Sequence, residues 1–212
     1  MAKLKNRPHT TGRGIGEGNL PPRYRGDGEG GSEPPFDRFQ AARLGLYIFL
    51  GALTTMFGAL AILYLLRTPD KGDFAFQMPK LSWIGTAILM LSSIPCQMAL
   101  NAAREGKTRG VWRGMMFTLA LGAVFLALQG GSWGEIAQQL QGAPAHFFSA
   151  MFYVISALHG LHLLGGLVFV GFLLYYAQVH QVVNVQQVEL GAIYWHFLGV
   201  LWVALFAVML IK

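Results

Sequence analysis

Three histidines and one glutamate stand inside the last two apolar runs of this chain, and they are the residues that could do chemistry there. His159 and His162 lie in HGLHLLGG, while Glu189 and His196 lie in VELGAIYWHF. Histidines at i and i+3 on one helix are about 60° apart, a spacing that suits a shared metal ion or haem iron. Buried histidines can also relay protons, and the same groups suit hydrogen bonding between packed helices. No cluster of Cys, Met or carboxylate completes a coordination shell beside them. The single cysteine, Cys96, excludes an internal disulfide and any cysteine-ligated zinc or iron–sulfur site.

The elements that must position these groups follow from composition. In 212 residues the hydrophobic types reach 54%, and the charged types only 12%. A water-soluble domain carries about 25% charged residues. With a mean hydropathy of +0.45, the sequence predicts an all-α, polytopic membrane helix bundle. Five apolar stretches, near 41–66, 81–103, 111–130, 147–177 and 187–211, are each long enough for a hydrocarbon core of about 30 Å. In lipid each must be helical to satisfy its own backbone. Pro95 removes one such bond from the second span and predicts a kink, and the polar segment 135–142 is expected at the membrane interface.

Residues 1–40 form a different region. Eight glycines and five prolines fall within the first 38 positions, too many to offset chain entropy by burial, so a disordered tail is expected unless a partner holds it. GRGIGEG in this tail lacks the strand and helix that a phosphate-binding loop needs. Lys3, Lys5 and Arg7 are not followed by an apolar stretch before Ala41, so no cleavable signal is expected. The high pI of 9.7 does not point to nucleic acid, because the basic residues flank apolar runs. Their distribution places twelve Lys and Arg on the side of the N-terminus and four on the other. The chain is therefore expected to have a cytoplasmic N-terminus and a periplasmic C-terminus.

Counting depth along the fourth span from Phe147 places His159 about 12 Å from the inner face, and His196 about 14 Å from it on the fifth. The two are expected to lie close together, with Glu189 nearer His162. Ser149, Ser156, Gly160 and Gly171 share one stripe of the fourth span, the pattern of a helix–helix interface. Trp195 and Trp202 suit either a lipid or a subunit contact.

HGLHLLGG followed by VELGAIYWHFLGVLW resembles subunit III of the haem-copper terminal oxidases, of both cytochrome c and quinol types. The matching residues are His159, Gly160, His162, Glu189, Tyr194, Trp195, His196, Phe197 and Trp202. Upstream, GLYIFLGALTTMFGALAILYLLR, SWIGTAILMLSS and LGAVFLALQ look like the family's first three common helices, so the resemblance covers about 40–212. It implies the short, five-helix bacterial form, in the bacterial inner membrane. It further implies a subunit without haem or copper of its own, the redox centres being on partner subunits, that packs beside catalytic subunit I, meets other oxidase or supercomplex subunits, and binds phospholipid. His159, Gly160, His162, Glu189, Tyr194, Trp195, His196 and Trp202 are then expected to make inter-helix, subunit or lipid contacts rather than to catalyse or ligate. Four positions depart from the family pattern. Leu53 stands where the family usually has a membrane-embedded glutamate, Gly199 where an aspartate is common, and Gln97 where a histidine is frequent; a glutamate shortly after Gln129 is missing. Accessory proteins of nitric oxide reductase share this helical core, and a freestanding transporter with a histidine proton relay is the reading from another class. Against a transporter or channel, no charged ring, broken helix pair or inverted repeat is visible.

Overall fold

The computed structural model describes residues 38–67, 78–139, 147–180 and 183–211. They form five α-helices: α1 (Arg38–Arg67), α2 (Lys80–Arg104), α3 (Thr108–Gln139), α4 (Phe147–His180) and α5 (Val185–Ile211). No strand occurs among the described residues. Every helix is long and apolar enough to cross a membrane; α2, with 25 residues, rises about 37 Å against about 30 Å of hydrocarbon. The chain is a multi-pass membrane protein with the five spans that its composition predicts. The Gly/Pro-rich region up to Asp37, and with it the expected disorder, lies outside the described residues.

Local chemistry sets the helix ends. Pro79 precedes the first residue of α2, where a missing N–H costs nothing. At the other end Gly106 takes φ +70°, and Gly106 N–H and Lys107 N–H return to the carbonyls of Ala103 and Ala102. This closing turn needs a residue tolerant of left-handed backbone, which glycine is. It lets α3 begin at once and fold back along α2.

The third helix is longer than its apolar run suggests. Its span was expected to end near residue 130; instead the helix continues through Gly130, Gly131 and Gly134 to Gln139, taking in the first five residues of the polar segment 135–142, whose last three lie outside the described residues. Tertiary partners outweigh the glycine cost in that last part. Ser132 Oγ meets Ser82 Oγ at 3.0 Å, Ile136 is fully buried, and Glu135 Oε2 accepts the backbone N–H of Lys80 at 3.0 Å. That last bond supplies α2 with the N-terminal cap that Pro79 lacks, and a carboxylate there also suits the helix dipole.

Neighbouring helices are fixed by pairs of named contacts. α2 and α3 run antiparallel from Ala102–Gly110 near their turn, through Ala99–Gly114 and Gly85–Phe125, to Lys80–Glu135. α2 and α5 are antiparallel from Trp83–Phe206 to Arg104–Glu189. The small stripe of α4 faces α3, with Ser156 against Trp133, Gly160 against Leu126 and Gly171 against Leu119. The interface expected for that stripe is thus inside the chain. α1 lies beside α5 in the same direction, from Phe49–Tyr194 to the bond from Tyr64 OH to the Met209 carbonyl at 3.2 Å. Among the described residues α1 packs only on α4 and α5.

Two apolar cores result. One gathers Leu89, Ala99, Phe125, Leu163, Trp195, Leu198 and Trp202 from α2 to α5. The other gathers Leu53, Phe57, Tyr64, Ile136, Phe152, Ile155, Leu205 and Met209, mainly from α1, α4 and α5. The closest backbone approach is at Gly114, where an added methyl would stand 2.6 Å from the Pro95 carbonyl oxygen and 2.8 Å from Ala99 Cβ. Those are backbone and near-backbone atoms that cannot rotate away. Gly114→Ala is expected to destabilise the α2–α3 pair by about 1–3 kcal/mol. Gly45→Ala, where nothing lies within 4 Å, is expected to be neutral or mildly stabilising. Thermal unfolding of the two variants in mild detergent checks the contrast.

Candidate functional site

The eight residues singled out by sequence converge on α4 and α5, but their partners differ from those expected. His159 is fully buried. Its ring lies over Trp202, with centroids 4.8 Å apart and planes 30° apart. The edges of Phe125 and Phe57 meet it at 5.9 and 6.5 Å. One imidazole from α4 is therefore enclosed by rings from α1, α3 and α5.

The expected closeness of His159 and His196 is not what the fold provides. The α5 partner of His159 is Trp202, six residues beyond His196 and about 9 Å further along the helix. The depth count from Phe147 misplaced it because α4 has 34 residues, about 51 Å, and overshoots the hydrocarbon. Counted instead from the adjacent ends of α4 and α5, His159 is 21 residues before the end of α4 and Trp202 is 17 after the start of α5, which brings the two to within about 6 Å of one level. By the same count Glu189 lies far from His162. Its partner is Arg104 on α2, at 4.0 Å, with both side chains partly exposed. A pair of that length and exposure contributes less than about 1 kcal/mol.

His162 is tied to its own helix, its Nδ1 donating to the Leu158 carbonyl at 2.7 Å. The ring sits between Phe49 and Phe57 of α1, at 6.5 and 5.7 Å, which brings it level with Leu53. Leu53 itself is buried in the apolar core, so this level of α1 carries no carboxylate. Tyr194 OH donates to the His162 carbonyl at 2.9 Å, and its ring covers Gly166. His196 Nε2 meets Gln97 Oε1 at 3.3 Å, and Gln97 Nε2 donates to Asn101 Oδ1 at 3.2 Å. Gly160 faces Leu126, and Gly199 faces Ser93.

Trp195 and Trp202 are buried within the chain, not laid out toward lipid. Trp195 Nε1 donates to Ser92 Oγ at 2.9 Å, and Trp202 Nε1 to Thr86 Oγ1 at 2.9 Å. Each hydroxyl passes its own hydrogen to a carbonyl of its helix: Ser92 to Leu89 at 2.6 Å, Thr86 to Ser82 at 2.7 Å. A third relay joins α3 to α4, from Trp133 Nε1 to Ser156 Oγ at 2.9 Å and on to Phe152 O at 2.6 Å. The Trp195 ring reaches so far into the bundle that a methyl on Gly122 would stand 2.6 Å from its Cη2 atom.

Thr86, Ser92, Trp133 and Ser156 as hydrogen-bond partners were not foreseen. A signal for two of them exists, since Trp195 and Trp202 are two turns apart on α5 and the hydroxyls are six residues apart on α2. The arrangement is one of ring packing and hydrogen bonds between helices. His159 is walled by aromatic rings, and His162 has one nitrogen committed to its backbone, so the two do not converge as ligands. Among the described residues no three of His, Cys, Asp and Glu gather around a common point.

Trp195→Phe keeps the ring and deletes the donor, and is expected to cost about 0.6–1.5 kcal/mol. Adding Ser92→Ala should cost less than the sum of the two single changes, because neither end of the bond remains. Thermal unfolding of the four-member cycle in mild detergent measures this coupling.

Comparison with known proteins matches the sequence that builds this site to a family. The family model described as cytochrome c oxidase subunit III matches residues 69–211. A probable cytochrome c oxidase subunit 3 of Nocardia farcinica is 31% identical over 171 residues, covering 77% of this chain and 84% of that protein. Cytochrome c oxidase subunit 3 of Thermostichus vulcanus is 32% identical over 178 residues, covering 79% and 86%. Quinol oxidase subunit 3 of Bacillus subtilis is 28% identical over 170 residues, covering 77% and 83%. With five packed spans, a matching region from the second helix to the end of the fifth, and relatives aligned over most of their length, the chain belongs to the cytochrome c oxidase subunit III family.

Proposed function

We propose that this chain is the non-redox accessory subunit of a bacterial respiratory haem-copper oxidase and stands in the plasma membrane beside catalytic subunit I. The family match carries this reading, and the chemistry of the interior supports it. The polar groups of the spans go to indole–hydroxyl–carbonyl relays and ring stacking, not to a ligand set for haem or copper. Electron transfer to oxygen and proton pumping then belong to the partner subunits, which hold the haem and copper. This chain catalyses nothing itself and stabilises the assembly.

Its surface suits that role. Exposed Leu44, Ile48, Ile62 and Leu66 on α1, and Leu161, Val168 and Phe172 on α4, form apolar flanks that a neighbouring subunit and phospholipid tails can cover. The end of the bundle that carries Arg43, Arg104, Lys107, Arg109 and Arg113 faces the cytoplasm in this proposal, by the excess of positive charge there. Anionic phospholipid headgroups fit beside those residues.

The test is purification of the tagged chain in mild detergent, with a reduced-minus-oxidised spectrum of what accompanies it. Co-purification with a larger haem-bearing subunit is the expected outcome. His159→Phe is expected to lower the amount of this chain retained in the complex while leaving the haem absorption per catalytic subunit unchanged. A haem-free chain that stays alone, or a haem band lost from an otherwise intact complex on substituting His159, would sink the proposal.

A further inference from the structure

We infer that one water molecule lies where the two apolar cores meet and joins Gln129 of α3 to His159 of α4. Both side chains are buried, Gln129 at 4% exposure and His159 at 0%. The nitrogen and oxygen of the Gln129 amide and both ring nitrogens of His159 have no hydrogen-bond partner among the described residues. Buried polar groups are nearly always bonded, and each one left unpaired is costly. Such atoms on two neighbouring helices call for a partner that one ring nitrogen of His159 and the Gln129 amide can share.

The helices bring the two groups to one level. The Phe125 ring contacts His159, and Gln129 follows Phe125 by one turn on the same face of α3, about 6 Å along the axis. Trp133 meets Ser156 and Leu126 meets Gly160, so α3 and α4 are in contact on either side of the two residues. Because α3 and α4 are antiparallel, those pairs bracket Gln129 and His159 at one level between the helices.

The chemistry of the atoms selects the guest. A neutral imidazole offers one N–H and one bare nitrogen, and the amide offers one carbonyl and an NH2 group. An anion would use only the donors and a metal ion only the acceptors, whereas water donates and accepts at once. Phe57, Phe125 and Trp202 ring the imidazole at 4.8 to 6.5 Å between centroids, which restricts the guest to something small. This water would be a fixed part of the structure, as internal waters on otherwise unpaired groups are. The site lies within the chain and stands whichever complex the chain joins.

An experimental map of the native assembly, at a resolution that shows ordered water, tests the inference. The expected result is a peak within hydrogen-bonding distance of the Gln129 amide and a His159 ring nitrogen. A direct Gln129–His159 bond, or a gap with no peak, overturns it. In parallel, Gln129→Leu and His159→Phe are each expected to lower the temperature at which the chain leaves the assembly. The double variant should lower it by less than the sum of the two shifts, since no polar atom is then left unpaired. Strictly additive shifts would break the proposed link.

Discussion

Lipid tails are as apolar as leucine, so burying apolar side chains does little to hold membrane helices together. What distinguishes the right neighbour from lipid here is the indole N–H. A tryptophan offers a large ring for close packing and one donor that hydrocarbon cannot satisfy. In this chain three indoles meet a Ser or Thr hydroxyl on the facing helix, and three hydroxyls hand their own hydrogen to a carbonyl of the same helix. Each relay leaves no polar atom of the pair unused, and it fixes both the rotation and the height of one helix against the next. The α2–α5 contact has two such relays, about two turns apart, and cannot slide without breaking both.

The rest of the bundle is arranged around that contact. The α2–α3 hairpin is set by the Gly106 turn and the Gly114 contact with Pro95, and the Trp133 relay then attaches α4. α1 joins last in space, leaning on α4 and α5 alone. His159 occupies the position where these groups of helices meet, touching Phe57 from one core and Phe125 and Trp202 from the other. A polar residue there makes the junction specific, because an aromatic cage of given shape accepts one ring in one orientation.

Much of the fold was legible in the sequence because lipid imposes a simple rule. Runs of about 20 apolar residues must be helices, and five such runs gave five helices. The small stripe on α4 announced a close neighbour and found one in α3. What the sequence left open is how the helices are levelled against each other. Measuring depth from the free end of α4 misplaced His159 by about a turn and a half, since nothing in a single chain says how far a helix overshoots the hydrocarbon. The far end of α3 was likewise missed. Its apolar run stops near residue 130, and the helix continues because Ser82 and Lys80, some fifty residues earlier, supply partners across space.

The bond from Lys80 N–H to Glu135 Oε2 carries a consequence for biosynthesis. α2 leaves the ribosome first, and its opening turn has no capping group of its own, Pro79 having none to give. The carboxylate that completes that turn is made 55 residues later, at the distal end of the helix that folds back alongside. The start of α2 is therefore finished only when almost all of α3 has entered the bilayer. The cap thus ties the finished start of α2 to the far end of α3, and the two helices are completed as one hairpin.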